Sequence, residues 1–228
     1  ILLSGLLFTL SFSNCTDNFR EINTNPLVLA DVDQSSIGNV FANAEYQGLF
    51  YWGWRWQTAE NLFADMYVQY YSNIAAGFPT DRHFMELVWL DGTWNIFYCS
   101  SANDLSVVLQ KTKEPSMEKN HAVAQIFKVL VYQRITDYWG PIPYSSVDNG
   151  LRSVPYDTQE SIYRDFIIQL DSATTTLAGY KGENAFGVND QIYQGDVDKW
   201  IIFANTLRLR IAMRISYVDH IYTILPKW

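Results

Sequence analysis

A short stretch of aromatic, charged and imidazole side chains is the part of this sequence best suited to bind a ligand. Residues 77–92 read GFPTDRHFMELVWLDG, and their candidate ligand contacts are Phe78, Asp81, Arg82, His83 and Trp89. Aromatic rings offer flat apolar surfaces, and the polar groups offer hydrogen bonds, as a sugar or peptide pocket requires. The stretch predicts a binding loop between helices. A solvated loop without a ligand is the alternative, and the pattern leaves both open.

A dense group of tryptophans precedes this loop. Trp52, Trp54 and Trp56 fall within the six residues YWGWRW. Indole faces stack on flat apolar surfaces, but aromatic residues at helical spacing are usually buried. If the stretch is helical, Trp52 and Trp56 share a face and Trp54 points away. Core packing is therefore the favoured interpretation of the group.

Paired carboxylates raise the question of catalysis. A helical glycoside hydrolase or lyase needs two carboxyl groups across a cleft, and the candidate pairs are Glu60 with Asp65 and Glu86 with Asp91. Each pair is five residues apart, so its members do not share a helix face. No Gly-x-Ser-x-Gly motif and no Gly-rich phosphate loop is present. We therefore expect a binding protein without a cofactor rather than an exported enzyme.

Metal and phosphate sites have little support in the sequence. His83 lies three residues before Glu86, but there is no HExxH motif, so no metal site is predicted. Arg210 and Arg214 share a helix face and Arg208 opposes them. This arrangement favours structural pairing of the arginines with carboxylates over a phosphate site.

The first residues predict export and lipidation. An apolar run of about a dozen residues, shorter than the ~20 that span a membrane, is followed by small residues before Cys15. This is typical of a signal sequence whose charged front is missing, and a buried strand is the weaker alternative. With Cys99 as the second cysteine, a lipidated Cys15 and a free Cys99 are favoured over one disulfide bond. We expect residues 1–14 to be a signal peptide and residues 15–35 a lipidated segment that holds the protein on a membrane.

The composition fits a folded body with a neutral or amphipathic ligand. Hydrophobic residues make up 48% of the 228 residues, which suffices for a sizeable core. The formal net charge of −8 argues against nucleic acid and against anionic lipid headgroups as partners. Aromatic residues reach 16%, including 8 Trp and 15 Tyr, more than a helical core requires. This excess indicates a binding function.

Apolar residues recur at helical spacing along most of the chain, and no convincing strand pattern is present. The stripes are Ile37 to Gly48 behind the candidate cap Ser36, Ala59 to Tyr70, Trp94 to Leu109, Val123 to Leu130 before the Gly140–Pro141 stop, Tyr163 to Leu177 after a capping box at Asp157 and Glu160, and Trp200 to Ile215 after Asp196. A Gly- and Asn-rich loop without periodicity separates the last two. The pattern predicts an all-α body of packed hairpins, with tetratricopeptide-like pairs but no strict 34-residue repeat.

Five motifs in a fixed order give the sequence a family resemblance. They are CTDNFREINTNP, WGWRWQTAENLFADMYVQYY, VYQRITDYWGPIPYS, DTQESIYRDFIIQLDSATTTL and GDVDKWIIFANTLRLRIAMRIS. Together, from Cys15 to about Asp219, they resemble the SusD/RagB family of nutrient-binding outer-membrane lipoproteins of Bacteroidetes. Each motif alone is weak, and the ordered set is specific.

The resemblance implies an all-α, tetratricopeptide-containing fold with long loops. It also implies a surface lipoprotein that sits on a SusC-like TonB-dependent outer-membrane transporter and captures glycans or peptides for import. Asp17 resembles the acidic signal that sends such lipoproteins to the cell surface, although stronger signals carry more acids. In glycan-binding members of the family, the pocket uses an early loop like residues 77–92. It also uses residues of a C-terminal half, which is not part of these 228 residues.

The last residues depart from the family pattern. HIYTILPKW, residues 220–228, shows neither a helix cap nor a helical continuation. We expect residues 36–219 to form the N-terminal part of a SusD-like helical domain that is truncated here, and residues 220–228 to be an atypical tail. The apolar faces of the fifth and sixth helices are then expected to lack some of their partners.

Overall fold

The computed structural model describes residues 35–50, 53–75, 77–147 and 153–218. Within these ranges the chain is helical, and its extended pairing is limited to two isolated bridges, Ile142 with Asp157 and Asn184 with Asp196. The predicted all-α class is therefore confirmed. None of the described helices is long and apolar enough to cross a membrane. Cys15 and Trp52 lie outside the described residues.

Helix α1, Ile37–Gly48, follows Ser36 at its N-cap position and buries the predicted stripe at Ile37, Phe41 and Ala44. Gly48 ends the helix at a very close approach to its neighbours. A Cβ at this position would lie 2.5 Å from Ser101 Oγ and 2.8 Å from Val131 Cγ1. Any larger residue at Gly48 would push α1 away from the helices that it packs against.

Helix α2 consists of Gly53–Trp56, the π-helical Gln57–Ala64 and Asp65–Tyr67. Ala59, Leu62 and Met66 of the predicted stripe are buried. Tyr70, the last predicted member, is instead 76% exposed, because the helix has ended before it. Two contacts with the later helix Glu118–Trp139 hold α2 in place. They are an ion pair between Glu60 and Arg134 and a hydrogen bond from the Tyr138 hydroxyl to the Ala59 carbonyl.

Helix α3 consists of Leu87–Ile96, the π-helical Phe97–Ser101 and Ala102–Lys111. Its buried face carries Phe97, Ala102, Leu105 and Val108, as predicted. The helix begins at Leu87, well before the predicted start near Trp94. The expectation that all of residues 77–92 form a loop was therefore wrong at its C-terminal end.

Helix α4, Glu118–Trp139, is the centre of the fold. It buries residues on several faces, including Val123, Ile126 and Phe127, because other helices pack around it. The predicted stop is confirmed, since Gly140 follows Trp139 with a φ of 72° that L side chains rarely adopt.

Helix α5, Gln159–Leu177, packs along α4. Its N-cap is Thr158, whose hydroxyl accepts a hydrogen bond from Ser161 N at 3.2 Å. The predicted capping box at Asp157 was thus wrong by one position. Asp157 accepts hydrogen bonds from Tyr144 N and Ser145 N instead, so it fastens the preceding segment.

Helix α6, Val197–Ile215, starts at the predicted cap Asp196, which accepts a hydrogen bond from Lys199 N at 3.1 Å. Arg208 pairs with Asp171, and Arg214 pairs with Asp137 at 3.0 Å. The predicted structural role is confirmed for these two arginines. Several apolar side chains of this hairpin are exposed in the described part of the chain: Ile168, Ile202, Leu209 and Met213.

The aperiodic loop between α5 and α6 is ordered by one buried carboxylate. Asp190 accepts hydrogen bonds from Ile192 N, Tyr193 N and Gly195 N, and from the Trp200 indole at 2.6 Å. Next to it, Gln191 N donates to the buried Glu45 of α1 at 2.8 Å. The sequence predicted the loop but not this attachment to helix α1.

Candidate functional site

The segment that joins α2 to α3 is held by a hydrogen bond to α2 and by hydrogen bonds within itself. Thr80 is buried and its hydroxyl donates to the Leu62 carbonyl of α2. Asn73 closes the segment on itself, since its backbone N–H donates to Asp81 Oδ2 at 3.1 Å and its amide donates to the Phe78 carbonyl at 3.2 Å. Residues 73–82 therefore form a braced loop beside α2.

Two of the predicted contact residues form an aromatic pair. The ring centroids of Phe78 and Trp89 are 6.1 Å apart, and the ring planes are inclined by 38°. Phe78 is 37% exposed and Trp89 is partly exposed. Trp89 lies in the first turn of α3, so it is held by a helix, whereas Phe78 is held by the braced loop. The pair offers a partly open apolar surface.

The charged neighbours Asp81 and Arg82 of the same stretch differ in exposure. Asp81 and Arg82 lie 3.8 Å apart, with side-chain exposures of 13% and 57%. Because Asp81 accepts the hydrogen bond from Asn73 N, its carboxylate is engaged in bracing the loop. Arg82 keeps most of its guanidinium in solvent. Of this pair, Arg82 is therefore the side chain that is open to a ligand.

His83 takes a different direction from these four residues. Its backbone lies in the left-handed region, with a φ of 58°, immediately after the short 3₁₀ helix Pro79–Arg82. Its ring packs edge-on against Tyr67 of α2, with 5.4 Å between the centroids. His83 thus joins the loop to α2.

Trp54 lies near this surface, although the sequence analysis favoured core packing for it. Both Trp54 and Trp56 are 48% exposed, so the core interpretation was wrong for these two residues. A Cβ at Gly92 would lie 3.8 Å from the Trp54 ring, which places the indole on α3 about one turn beyond Trp89. Helix α2 buries side chains only from Ala59 onward, which leaves its first turn open.

A row of aromatic rings in successive contact runs from the loop along α2 to the end of α4 and back to α3. Neighbouring centroids along this aromatic row are 4.8 to 5.6 Å apart, and its members are His83, Tyr67, Phe63, Tyr138, Trp139 and Trp94. Burial, with a smaller contribution from the charge of Glu60, raises the pKa of the Tyr138 hydroxyl. Tyr138 therefore stays neutral and remains the donor to the Ala59 carbonyl. The row therefore ties the loop at His83, helix α2, the end of α4 and helix α3 together through packed rings.

Among the described residues there is no group of three or more His, Cys, Asp or Glu side chains that could hold a metal ion. Of the carboxylates considered for catalysis, Glu60 is paired with Arg134, and Asp91 accepts a hydrogen bond from the Asn95 amide at 3.0 Å. The geometry around Phe78, Trp89 and Arg82 is suited to holding a ligand by stacking and hydrogen bonds.

Comparison with known proteins identifies one family. A family model described as SusD-like, SusD and RagB outer membrane lipoprotein, matches residues 21–223. No curated protein matches the chain.

Solved structures agree with the family model. A SusD homologue from Bacteroides vulgatus is 32% identical with a TM-score of 0.72, and the match covers 81% of this chain and 40% of that protein. One from Bacteroides uniformis is 30% identical with a TM-score of 0.74, with 83% and 40% covered. A chitin-binding SusD homologue from Flavobacterium johnsoniae is 28% identical with a TM-score of 0.72, with 82% and 40% covered. The chain spans about 40% of the length of these relatives.

Proposed function

The chain belongs to the SusD-like family of SusD and RagB outer-membrane lipoproteins, and on that premise we propose that it captures an oligosaccharide or peptide nutrient at the bacterial surface. Phe78 and Trp89 supply the apolar contact, and Arg82 supplies hydrogen bonds to the ligand. Asp81 and His83 hold the loop in the shape that presents them. The exposed Phe78–Trp89 pair on a braced loop is the observation that carries this proposal.

The proposal favours a glycan among the possible nutrients. Flat aromatic faces next to hydrogen-bonding side chains suit a sugar ring, which has one apolar face and a rim of hydroxyl groups. A similar protein of the same family, from Flavobacterium johnsoniae, is chitin-binding. Oligosaccharides of N-acetylglucosamine are therefore the first ligands to test.

The proposal includes a lipid anchor at Cys15 and delivery of the ligand to a SusC-like TonB-dependent transporter. The family description as outer-membrane lipoproteins supports the anchor. In this arrangement the protein binds the nutrient and has no catalytic role. The transporter moves the ligand across the membrane.

Calorimetric titration with a glycan panel tests the ligand site. Trp89→Ala and Arg82→Ala are each expected to weaken binding, by roughly 1 to 3 kcal/mol for the stacked ring and about 1 kcal/mol for the guanidinium. Tyr217→Ala is the matched control, because Tyr217 is exposed on the segment after α6. Wild-type affinity in both site variants would show that residues 77–92 do not form a ligand site.

Product release from the same panel tests the absence of catalysis. The expected result is no turnover. Robust turnover that is lost in Glu86→Gln or Asp91→Asn would mean that the protein is a glycoside hydrolase or lyase.

A further inference from the structure

We propose that Trp94, Trp139 and Tyr156 form a second platform for a neutral oligosaccharide, on a different face of α3 from Trp89. This inference rests on the proposed function and specifies its ligand as a chain of several sugar units. Trp89 and Trp94 are five positions apart, which corresponds to about 140° around the helix and about 7.5 Å along its axis. Helix α3 therefore carries one tryptophan toward the loop of residues 73–82 and the other toward the end of α4.

The rings of the second platform are in direct contact. Trp94 lies 5.4 Å from Trp139 in an edge-on arrangement, and 6.2 Å from Tyr156 with the two planes inclined by only 18°. At that distance and angle the Tyr156 and Trp94 rings are offset and nearly parallel. Tyr156 is 62% exposed, and both tryptophans are partly exposed. The ring of Tyr156 is therefore the main solvent-facing surface of this group, and the two tryptophans support it and add their exposed parts.

Tyr156 is held in place although it is exposed. The next residue, Asp157, exchanges backbone hydrogen bonds with Ile142 at 2.9 and 3.3 Å, and its carboxylate accepts from Tyr144 N and Ser145 N. Thr158 then caps α5. A ring on a fixed backbone loses little conformational freedom when a ligand binds. The exposed ring of Tyr156 is therefore suited to ligand binding.

Polar groups border the platform on α3. Asp91 is exposed and lies one helical turn before Trp94, so the two residues are neighbours on the helix surface. Asn95 is also exposed, and its amide donates to the Asp91 carboxylate at 3.0 Å. A carboxylate and an amide beside an aromatic face match a ligand that has an apolar face and a rim of hydroxyl groups. The Asp91 charge and the net charge of −8 disfavour an anionic ligand.

Packed rings and fixed helices lie between the loop of the first platform and the second platform. The aromatic row links His83 at the loop to Trp94 through packed rings, and Glu60 and Tyr138 fasten α2 to α4. In this proposal a short ligand occupies one platform only, whereas a chain of several units contacts both. Affinity is therefore expected to rise with ligand length.

Titration with β-1,4-linked N-acetylglucosamine and glucose oligosaccharides of two to eight units tests this inference on the full 228-residue chain. Tyr156→Ala is expected to weaken binding of the longest ligands roughly ten-fold, the loss of one stacking contact, and to change binding of the two-unit ligand less than about two-fold. Tyr156→Phe keeps the ring and is expected to restore the affinity. Tyr217→Ala serves as the control, and the circular dichroism spectrum of each variant verifies the fold.

The outcomes separate this inference from the proposed function. If Trp89→Ala weakens binding but Tyr156→Ala binds every length like the wild type, the second platform is wrong and the ligand site at the loop stands. If the wild type binds no member of the panel, the glycan-binding function and the second platform are both wrong. A parallel titration with apolar peptides supplies the third outcome. If Tyr156→Ala weakens only the binding of these peptides, the occupant is a peptide and the inference is overturned.

Discussion

The loop of residues 181–196 is attached to helix α1, and the free energy of opening this loop is expected to depend on pH. Replacing Glu45 by Gln is expected to remove that dependence. Glu45 is fully buried on α1, and one of its carboxyl oxygens accepts a hydrogen bond from Gln191 N at 2.8 Å. The other oxygen is buried without a hydrogen-bond partner in the described part of the protein. The fully buried Asp190, with its four donors, lies next in the chain to Gln191.

Burial raises the pKa of Glu45 from 4.5 to about 9, the charge of Asp190 adds to the rise, and the hydrogen bond from Gln191 N opposes it. The folded loop therefore holds a proton on Glu45 that the opened loop releases. The contribution of this bound proton to the stability of the closed loop is fully present below about pH 4.5 and is lost as the pH rises through about 9. Between these two pH values the free energy of opening falls by about 1.4 kcal/mol per pH unit. The equilibrium constant for opening therefore rises about ten-fold per pH unit.

Hydrogen exchange of peptides that cover residues 185–196 measures this opening directly. After correction for the intrinsic exchange rate, protection in the wild type is expected to fall roughly hundred-fold from pH 6 to pH 8, about 2.7 kcal/mol. Glu45→Gln is expected to keep the acceptor for Gln191 N, because the amide oxygen replaces the carboxyl oxygen. Its protection is expected to be nearly the same at both pH values and higher than that of the wild type at pH 8.

The control is Glu114→Gln, because Glu114 is an exposed carboxylate between α3 and α4. This variant is expected to follow the wild type at both pH values. Equal protection of the wild type at pH 6 and pH 8 would refute the reasoning, because it would mean that Glu45 does not change its ionisation when the loop opens. A uniform loss of protection in Glu45→Gln would mean that the amide does not fit the site.

Three other predictions concern the anchor, the loop and the exposed hairpin. Cys15→Ala is expected to abolish sedimentation with membranes and to leave the circular dichroism spectrum unchanged, and undiminished sedimentation would contradict lipidation. Thr80→Val is expected to leave the Leu62 carbonyl without its donor, at a cost of about 1 to 3 kcal/mol, which faster hydrogen exchange of residues 77–86 would reveal. The hairpin of α5 and α6 is expected to bind hydrophobic dyes in the 228-residue chain, and Ile202→Gln with Met213→Gln should reduce that fluorescence if this face is the dye site.

Helix faces were predictable from the sequence because burial follows the helical period. Phe41, Phe97, Phe127 and Phe166 were each placed on a buried stripe, and all four are fully buried. The helix ends were less predictable, because neighbouring polar residues compete for the same role. Asp157 and Thr158 both suit an N-cap, and the choice between them depends on the contacts of Asp157 with the distant Tyr144 and Ser145.

The candidate site was predictable in its residue types but not in its geometry. The sequence placed Phe78, Arg82 and Trp89 in one stretch, but it did not show that Trp89 belongs to a helix or that Asp81 braces the loop through Asn73. Tyr156 lies outside every apolar stripe, and only the packing of α3 on the end of α4 brings Trp94 next to it. Contacts between segments that are distant in the sequence therefore determine which aromatic side chains lie together at the protein surface.

The π-helical turn Phe97–Ser101 explains how α3 serves the core and two surfaces at once. Its C-terminal part must bury Leu105 and Val108, and this requirement fixes the rotation of that part about the helix axis. A π-helical turn contains about one residue more than an α-helical turn, so it rotates all preceding residues by about 100° relative to the buried part. Without that extra residue, Trp89 and Trp94 would point about a quarter turn away from Phe78 and Tyr156. The turn therefore sets the orientation of both tryptophans, which is consistent with the frequent occurrence of π turns at functional sites.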